Sequence, residues 1–247
     1  MPARSAISVT ETSAPWASSG IGAATARALA AAGVKVVAGA RRVDRLEELA
    51  ATADGEVIPL ELDVADQQSV REAVVTAVDR FGGLDVVVNN AGVMLGGPIV
   101  GADTGEWDRM VRTNLLGSFY VTHAALPHLL ARKGTVVQIS STSGRVASVM
   151  GGVYAATKFG VNAFAESLRQ EVTGRGVRVV TIEPGMVDTE IADHIVDDDI
   201  RDMAKKMAGS MRTLRAEDVA AAVLYAVGRP EHVAVNEILL RPTDQVH

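Results

Sequence analysis

The sequence predicts an α/β protein: a doubly wound parallel sheet of about seven strands in a single domain spanning 1–247. Three observations predict it. Short runs rich in Val, Ile and Leu alternate with longer helical segments along the whole chain. Most of those runs show no polar alternation, the pattern of strands buried on both faces beneath helices. The chain has 247 residues, 48% hydrophobic and 22% charged, a size and composition that suit one globular α/β unit.

Taken in order, strands are expected at 34–40, 57–62, 84–89, 135–140, 177–183 and 237–240. The weakest element is the beginning, where 6–10 reads as a first strand followed by a long polar stretch, 11–19. Helices are expected at 20–32, 43–53, 67–81, 104–130, 152–175 and 216–227. Asp66 and Asp103 stand at N-cap positions, and Asp103 has Glu106 three residues on, as in a capping box. Residues 113–131 contain no Asp, Glu, Lys or Arg, but they carry Asn114, His123, Pro127 and His128. They read as a buried helix rather than a membrane span, which needs about 20 apolar residues. The first apolar stretch meets Glu11, too early for a secretory core of roughly 7–15 apolar residues, so a cytoplasmic location is expected.

Charge and composition exclude several functions. Lys and Arg number 24 against 30 Asp and Glu, a net −6, which argues against nucleic acid or an anionic membrane as partner. Aromatics at 4% offer little for base stacking. Cysteine is absent, which excludes disulfides, thiolate zinc sites and a thiol nucleophile. The five His show no ligand spacing, and Asp197-Asp198-Asp199 reads as a solvated helix start, so no metal is expected.

Ser18-Ser19-Gly20-Ile21-Gly22 opens the first helix. Closely spaced glycines let backbone approach a pyrophosphate at a helix N-terminus, although the same spacing serves tight helix–strand packing. Arg41-Arg42 follows the strand at 34–40, where a dinucleotide's adenosine ribose would lie. Arginine there suits a 2′-phosphate, so NADP(H) is expected; two merely solvated arginines are the alternative. Asp63, after the next strand, could accept from an adenine amine or simply cap a loop.

Tyr154-Ala155-Ala156-Thr157-Lys158 places a phenol and an ammonium one helical turn apart, on one face. A tyrosine near pKa 10 is a poor acid or base at neutral pH, and a nearby cation favours its phenolate. Ser140-Ser141 closes one strand, Asn89-Asn90-Ala91-Gly92 closes another, and Asn114 lies in the helix that follows. Strand C-termini converge on the ligand crevice of a parallel sheet, so polar residues at several of them point to a site.

From Ala17 to Gln245 these residues, with Leu62-Asp63-Val64 and Pro184-Gly185-Met186-Val187-Asp188-Thr189, resemble the short-chain dehydrogenase/reductase family in its single-domain branch. The resemblance implies a Rossmann-like fold and reversible, NADPH-dependent reduction of an aldehyde or ketone to an alcohol. It makes Tyr154 the group that exchanges a proton with the substrate oxygen, and Ser141 the hydroxyl that fixes that oxygen. Lys158 would hold the nicotinamide ribose and depress the Tyr154 pKa; Asn114 would anchor a water that relays protons to solvent. The cofactor would be contacted by Ser18, Ser19, Gly20, Ile21 and Gly22, by Arg41 and Arg42, and by Asp63 and Val64. Asn90, Ala91 and Gly92 would border the adenosine ribose, and Pro184, Gly185, Val187 and Thr189 the nicotinamide. A substrate lid is implied at about 189–214. Met203, Met207 and Met211 form a possible helical stripe in it, of a kind that more often packs into the body. An apolar stripe of Val161, Phe164, Leu168 and Val172 reads as core, and the resemblance adds a homotetramer or homodimer interface there. Stretches at 123–130, 158–164 and 241–246 resemble a subgroup that reduces an aldehyde.

One departure stands out. Pro15 and Trp16 occupy the family's first Thr-Gly positions, and 9–14 is poor strand material for a sheet centre. A strand shifted to 6–10 with a longer loop, an impaired cofactor loop, and a non-native segment 1–16 would each explain it; the abrupt return to pattern at Ala17 favours the third. A non-catalytic binding or scaffold protein is therefore the rival function. A sugar-nucleotide epimerase, which also uses a Tyr–Lys pair, normally has a longer chain.

Overall fold

Short apolar runs make seven parallel strands: β1 (Ser5–Val9), β2 (Lys35–Ala40), β3 (Val57–Glu61), β4 (Val86–Asn89), β5 (Thr135–Ile139), β6 (Arg178–Pro184) and β7 (Glu237–Leu240). The computed structural model describes residues 4–9, 20–189, 191, 193, 195 and 197–246. Helices are α1 (Ile21–Ala31), α2 (Val43–Thr52), α3 (Gln67–Phe81), α4 (Thr104–Met110), α5 (Gly117–Arg132), α6 (Gly152–Val172), α7 (Asp198–Gly209) and α8 (Ala216–Val227). Asp66 and Asp103 cap α3 and α4 by accepting from the backbone N–H of Gln68 and Gly105.

The sheet order is β3-β2-β1-β4-β5-β6-β7, so the fold is the expected doubly wound parallel sheet. The order in which strands are added reverses between β1 and β4, which opens a crevice at their C-terminal ends. Side chains alternate strictly between the two faces. Val86, Val88, Val137, Ile139, Val180 and Ile182 pack against α1, α2 and α8. Val87, Val136 and Val179 pack against α3, α5 and α6. Burial on both sides explains why these strands read as unbroken apolar runs. Among the described residues no helix is long and apolar enough to cross a membrane.

Two elements differ from expectation. The helix expected over 104–130 is interrupted by a π-helical turn, Val111–Leu116, between α4 and α5. The wider turn swings Asn114 inward, where its amide finds three protein partners. The first strand lies early, at Ser5–Val9, in register with Lys35–Gly39 on one side and, from Ala6, with Val86–Asn89 on the other. Specific contacts hold it. The Ser5 hydroxyl donates to Gly83 O at 2.8 Å, the Ser5 N–H donates to the Asp85 carboxylate at 2.9 Å, and Arg4 donates to Val227 O at 2.8 Å. Of the three explanations for the Pro15-Trp16 departure, this position matches the shifted strand. Pro15, Trp16, Ser18 and Ser19 themselves lie outside the described residues.

Candidate active site

Strand β5 ends at Ile139, and the next backbone N–H, of Ser140, donates to Ile182 O at 2.8 Å. Ser141 follows in extended conformation, and its Oγ accepts from Ser143 N at 3.1 Å. That bond starts a single 3-10 turn, Thr142–Gly144. Helix α6 begins eight residues later, so Tyr154 and Lys158 fall one turn apart on its inner face. Both are buried, 7% and 4% exposed. Tyr154 sits in a small apolar cluster with Val93, Leu95 and Met110. The Lys158 ammonium donates to Ile139 O at 2.9 Å and lies 5.7 Å from the centre of the Tyr154 ring. The Ser141 side chain lies beside Tyr154 as the group that favours its phenolate, so the three sequence-predicted groups form one cluster.

Asn114 joins them through the backbone. Its Oδ1 accepts from Val93 N at 2.8 Å, and its Nδ2 donates to Val93 O at 2.9 Å and to Thr157 Oγ1 at 3.1 Å. Thr157 in turn donates to Tyr154 O at 2.7 Å. Sequence reasoning did not single out Thr157, although its place beside Lys158 within the Tyr-x-x-x-Lys spacing was a usable signal. Both Nδ2 hydrogens of Asn114 are thus committed to protein, which leaves a water at this residue only oxygen acceptors.

The electrostatics differ from expectation in direction. Burial pushes the Tyr154 phenol up to about 12, and the Ser141 hydrogen bond pulls it back only in part. Burial also pushes the Lys158 ammonium down to about 8. Desolvation is the largest cause of both shifts, and Lys158 is not among the groups that lower Tyr154.

The crevice side fits a dinucleotide. Helix α1 starts at Gly20 in extended conformation, with no side-chain cap and no acid in its first turn. Its first-turn amides face no carboxylate of their own helix, which suits a pyrophosphate. Among the described residues, a Cβ added to Gly20 would meet nothing within 4 Å. A Cβ on Gly92 would stand 3.4 Å from Asn114 Oδ1 and 3.6 Å from Lys158 Nζ, filling the space in front of the ammonium. Ile21 and Gly22 lie in the first turn of α1, Asn90 and Ala91 just past β4. Arg41 and Arg42 follow β2 directly; the Arg42 guanidinium lies 3.9 Å from the Asp44 carboxylate. Asp63 caps its own loop through Ala65 N at 2.9 Å, and Val64 packs against Gly117.

Beyond β6, Gly185 N donates to Leu240 O at 2.7 Å and Met186 N to Gln245 Oε1 at 2.8 Å. Val187 then pairs in a parallel bridge with Leu214, and Pro184, Gly185, Val187 and Thr189 lie along this rim. Ile200 of α7 lies 3.8 Å from where a Gly97 side chain would begin, so the segment from 189 to 214 borders the crevice mouth. Met203 is 53% exposed, and Met211 lies past the end of α7, so these two do not pack in one helical stripe. The Met207 side chain lies outside the described ones.

Residues 17–200 match the short chain dehydrogenase family, and the chain belongs to it. A glycine betaine reductase of Emericella nidulans is 41% identical over 233 residues, 93% of this chain but 18% of that protein's length. An uncharacterized oxidoreductase of Staphylococcus saprophyticus is 35% identical over 93% of this chain and 94% of that one. Among solved structures, the closed form of a serine dehydrogenase complexed with NADP+ superposes with TM-score 0.89 at 33% identity, covering 98% of this chain and 96% of that one. An alcohol dehydrogenase of the archaeon Thermococcus sibiricus, complexed with 5-hydroxy-NADP, gives TM-score 0.84 at 31% identity over 98% and 97% of the two chains.

Proposed function

We propose that the protein uses NADP(H) to reduce an aldehyde or ketone to an alcohol, reversibly. The observation that carries this reading is the convergence of Ser141, Tyr154 and Lys158, all buried or half-buried, at the carboxyl edge of β5. The cofactor-bound relatives and the cationic residues Arg41 and Arg42 after β2 support NADP(H) over its unphosphorylated counterpart. When bound, the nicotinamide supplies or accepts the hydride.

The Ser141 hydroxyl is placed to donate to a carbonyl oxygen and hold it against Tyr154. Tyr154 donates its proton to that oxygen as negative charge develops there. Burial keeps the phenol protonated at neutral pH, which suits the reductive direction. Lys158, mostly protonated at pH 7 with a pKa near 8, keeps N–H donors beyond its bond to Ile139 O for ribose hydroxyls. A proton relay at Asn114 would run through a carbonyl oxygen, because both Nδ2 hydrogens are already bonded.

Ile99, 69% exposed, lies against Gly152 beside Tyr154, and Ile200 against Gly97. This apolar rim favours an uncharged carbonyl substrate. Stretches such as 123–130 and 241–246 resemble clavulanate dehydrogenase, which reduces an aldehyde with NADPH; they are mostly scaffold positions and bear on subfamily more than on substrate. One domain over 1–247, with its lid at about 189–214, is part of the same reading. So is assembly along α6, although Val161, Leu168 and Val172 of the stripe expected there are buried within the protomer, which leaves half-buried Phe164, tilted against Phe119 with ring centres 4.3 Å apart. A panel of aldehydes and ketones, followed by NADPH absorbance, tests the reading. No turnover across the panel, with no NADPH-induced thermal stabilisation, would leave the scaffold rival standing.

A further inference from the structure

Glu183, near the end of β6, is 1% exposed, and an ionised carboxylate buried so deeply must be paired. Arg145 and Asn162 pair it. Arg145 Nε donates to Glu183 Oε2 at 2.7 Å and Nη2 lies 2.6 Å from the same oxygen, while Asn162 Nδ2 donates to Oε1 at 2.8 Å. The Arg145 Nη2 also bonds Glu237 on β7. Asn162 stands one helical turn beyond Lys158, and its Nδ2 also reaches Gly144 O at 3.2 Å. Gly144 and Arg145 close the turn that Ser141 opens, through Gly144 N to Ser141 O at 2.8 Å and Arg145 N to Thr142 O at 3.0 Å. The turn is pressed onto α6. A Cβ on Gly144 would come within 2.7 Å of Asn162 Nδ2 and 3.1 Å of Lys158 O. One carboxylate thus ties together the strand β6, the turn carrying Ser141 and the helix carrying Tyr154 and Lys158.

We propose that Glu183, Arg145 and Asn162 are positioning residues that set the Ser141 hydroxyl against the Tyr154 phenol. The proposal rests on the site reading above, but its test does not need turnover. Within the protein, Ser141 is the group whose hydrogen bond counteracts the burial of Tyr154. Loosening the turn therefore weakens that bond, whereas a purely structural ion pair would change stability alone.

The experiment labels the three tyrosines with 13C at Cζ and assigns Tyr154 by its loss in Tyr154→Phe. Ser141→Ala gives the signal position without the Ser141 bond. In Glu183→Gln and in the milder Arg145→Lys, which keeps the charge but loses the guanidinium fork, the Tyr154 signal is expected to move towards the Ser141→Ala position. The kcat for carbonyl reduction should fall on the order of tenfold, with KM for NADPH unchanged. An unmoved Tyr154 signal in folded Arg145→Lys, with only a lower Tm, overturns the proposal. A wild-type protein without turnover would overturn the proposed reaction instead, and the NMR comparison would still decide the positioning role.

Discussion

The turn that carries Ser141 and the segment between Thr189 and Leu214 border the same crevice and are held in opposite ways. The turn is tied to β6, β7 and α6 through one buried carboxylate. The segment proposed as a lid is fastened at its base, where Asp188 N donates to Leu214 O at 2.7 Å and Leu214 N to Met186 O at 2.9 Å. Its further ion pairs lie at the surface, such as Lys205 with Asp193 at 2.6 Å, with side chains 52% and 33% exposed. Exposed pairs of this kind contribute little, typically under about 1 kcal/mol. Proton transfer demands fixed distances, so its residues are over-determined. Recognition of a substrate body tolerates slack and sits on a surface that can be rebuilt.

Substitutions test that contrast in decreasing order of effect. Tyr154→Phe should cut carbonyl reduction by about 10³-fold while leaving NADPH-induced thermal stabilisation intact; loss of both together would mean that the residue holds structure rather than a proton. Lys158→Met should cost roughly 10²-fold in kcat and should also change the pH dependence of stability. Folding lowers the lysine pKa from 10.5 to about 8. Between those values the unfolded chain binds the extra proton, so wild-type stability should rise with pH across this window. Against Lys158→Met the gain should approach about 3 kcal/mol, read by urea denaturation at pH 7.5 and 10.5. A flat difference would deny the burial of the ammonium. Arg42→Ala should raise the NADPH dissociation constant about tenfold and leave NADH nearly unchanged, as measured by fluorescence titration. The smallest effect belongs to the lid. Met203→Ser should keep stability within about 0.5 kcal/mol and change KM without kcat. A large fall in kcat there would erase the contrast between lid and turn.

Much of the architecture was legible because a strand covered on both faces leaves an unbroken apolar run. The strands near 57–61 and 237–240 and the helices over 67–81 and 216–227 follow directly from such runs and their spacing. The π turn was hidden, since one extra residue within Val111–Leu116 barely alters the spacing that marks a helix. β1 was blurred because Ser5 and Ser8 interrupt its apolar run, and Ser5 is satisfied by Asp85, eighty residues away in sequence. Of the site, Ser141, Tyr154, Lys158 and Asn114 could be picked out from residue type and spacing. Arg145, Asn162, Glu183 and Glu237 could not, since each reads singly as a surface residue. Only the placement of β6 between β5 and β7 brings them together. The direction of the Tyr154 shift was missed for a related reason: spacing reveals a neighbouring cation, whereas burial depends on the whole fold.

The parallel bridge between Val187 and Leu214 is a stem that joins the two ends of the intervening segment at one point. Closing a loop on such a stem costs only about 0.6 kcal/mol for each doubling of its length. Insertions and exchanges between 189 and 214 should therefore leave the sheet register untouched. Descendants of this protein could acquire new substrates by lengthening or replacing that segment while the proton-transfer groups stay where they are.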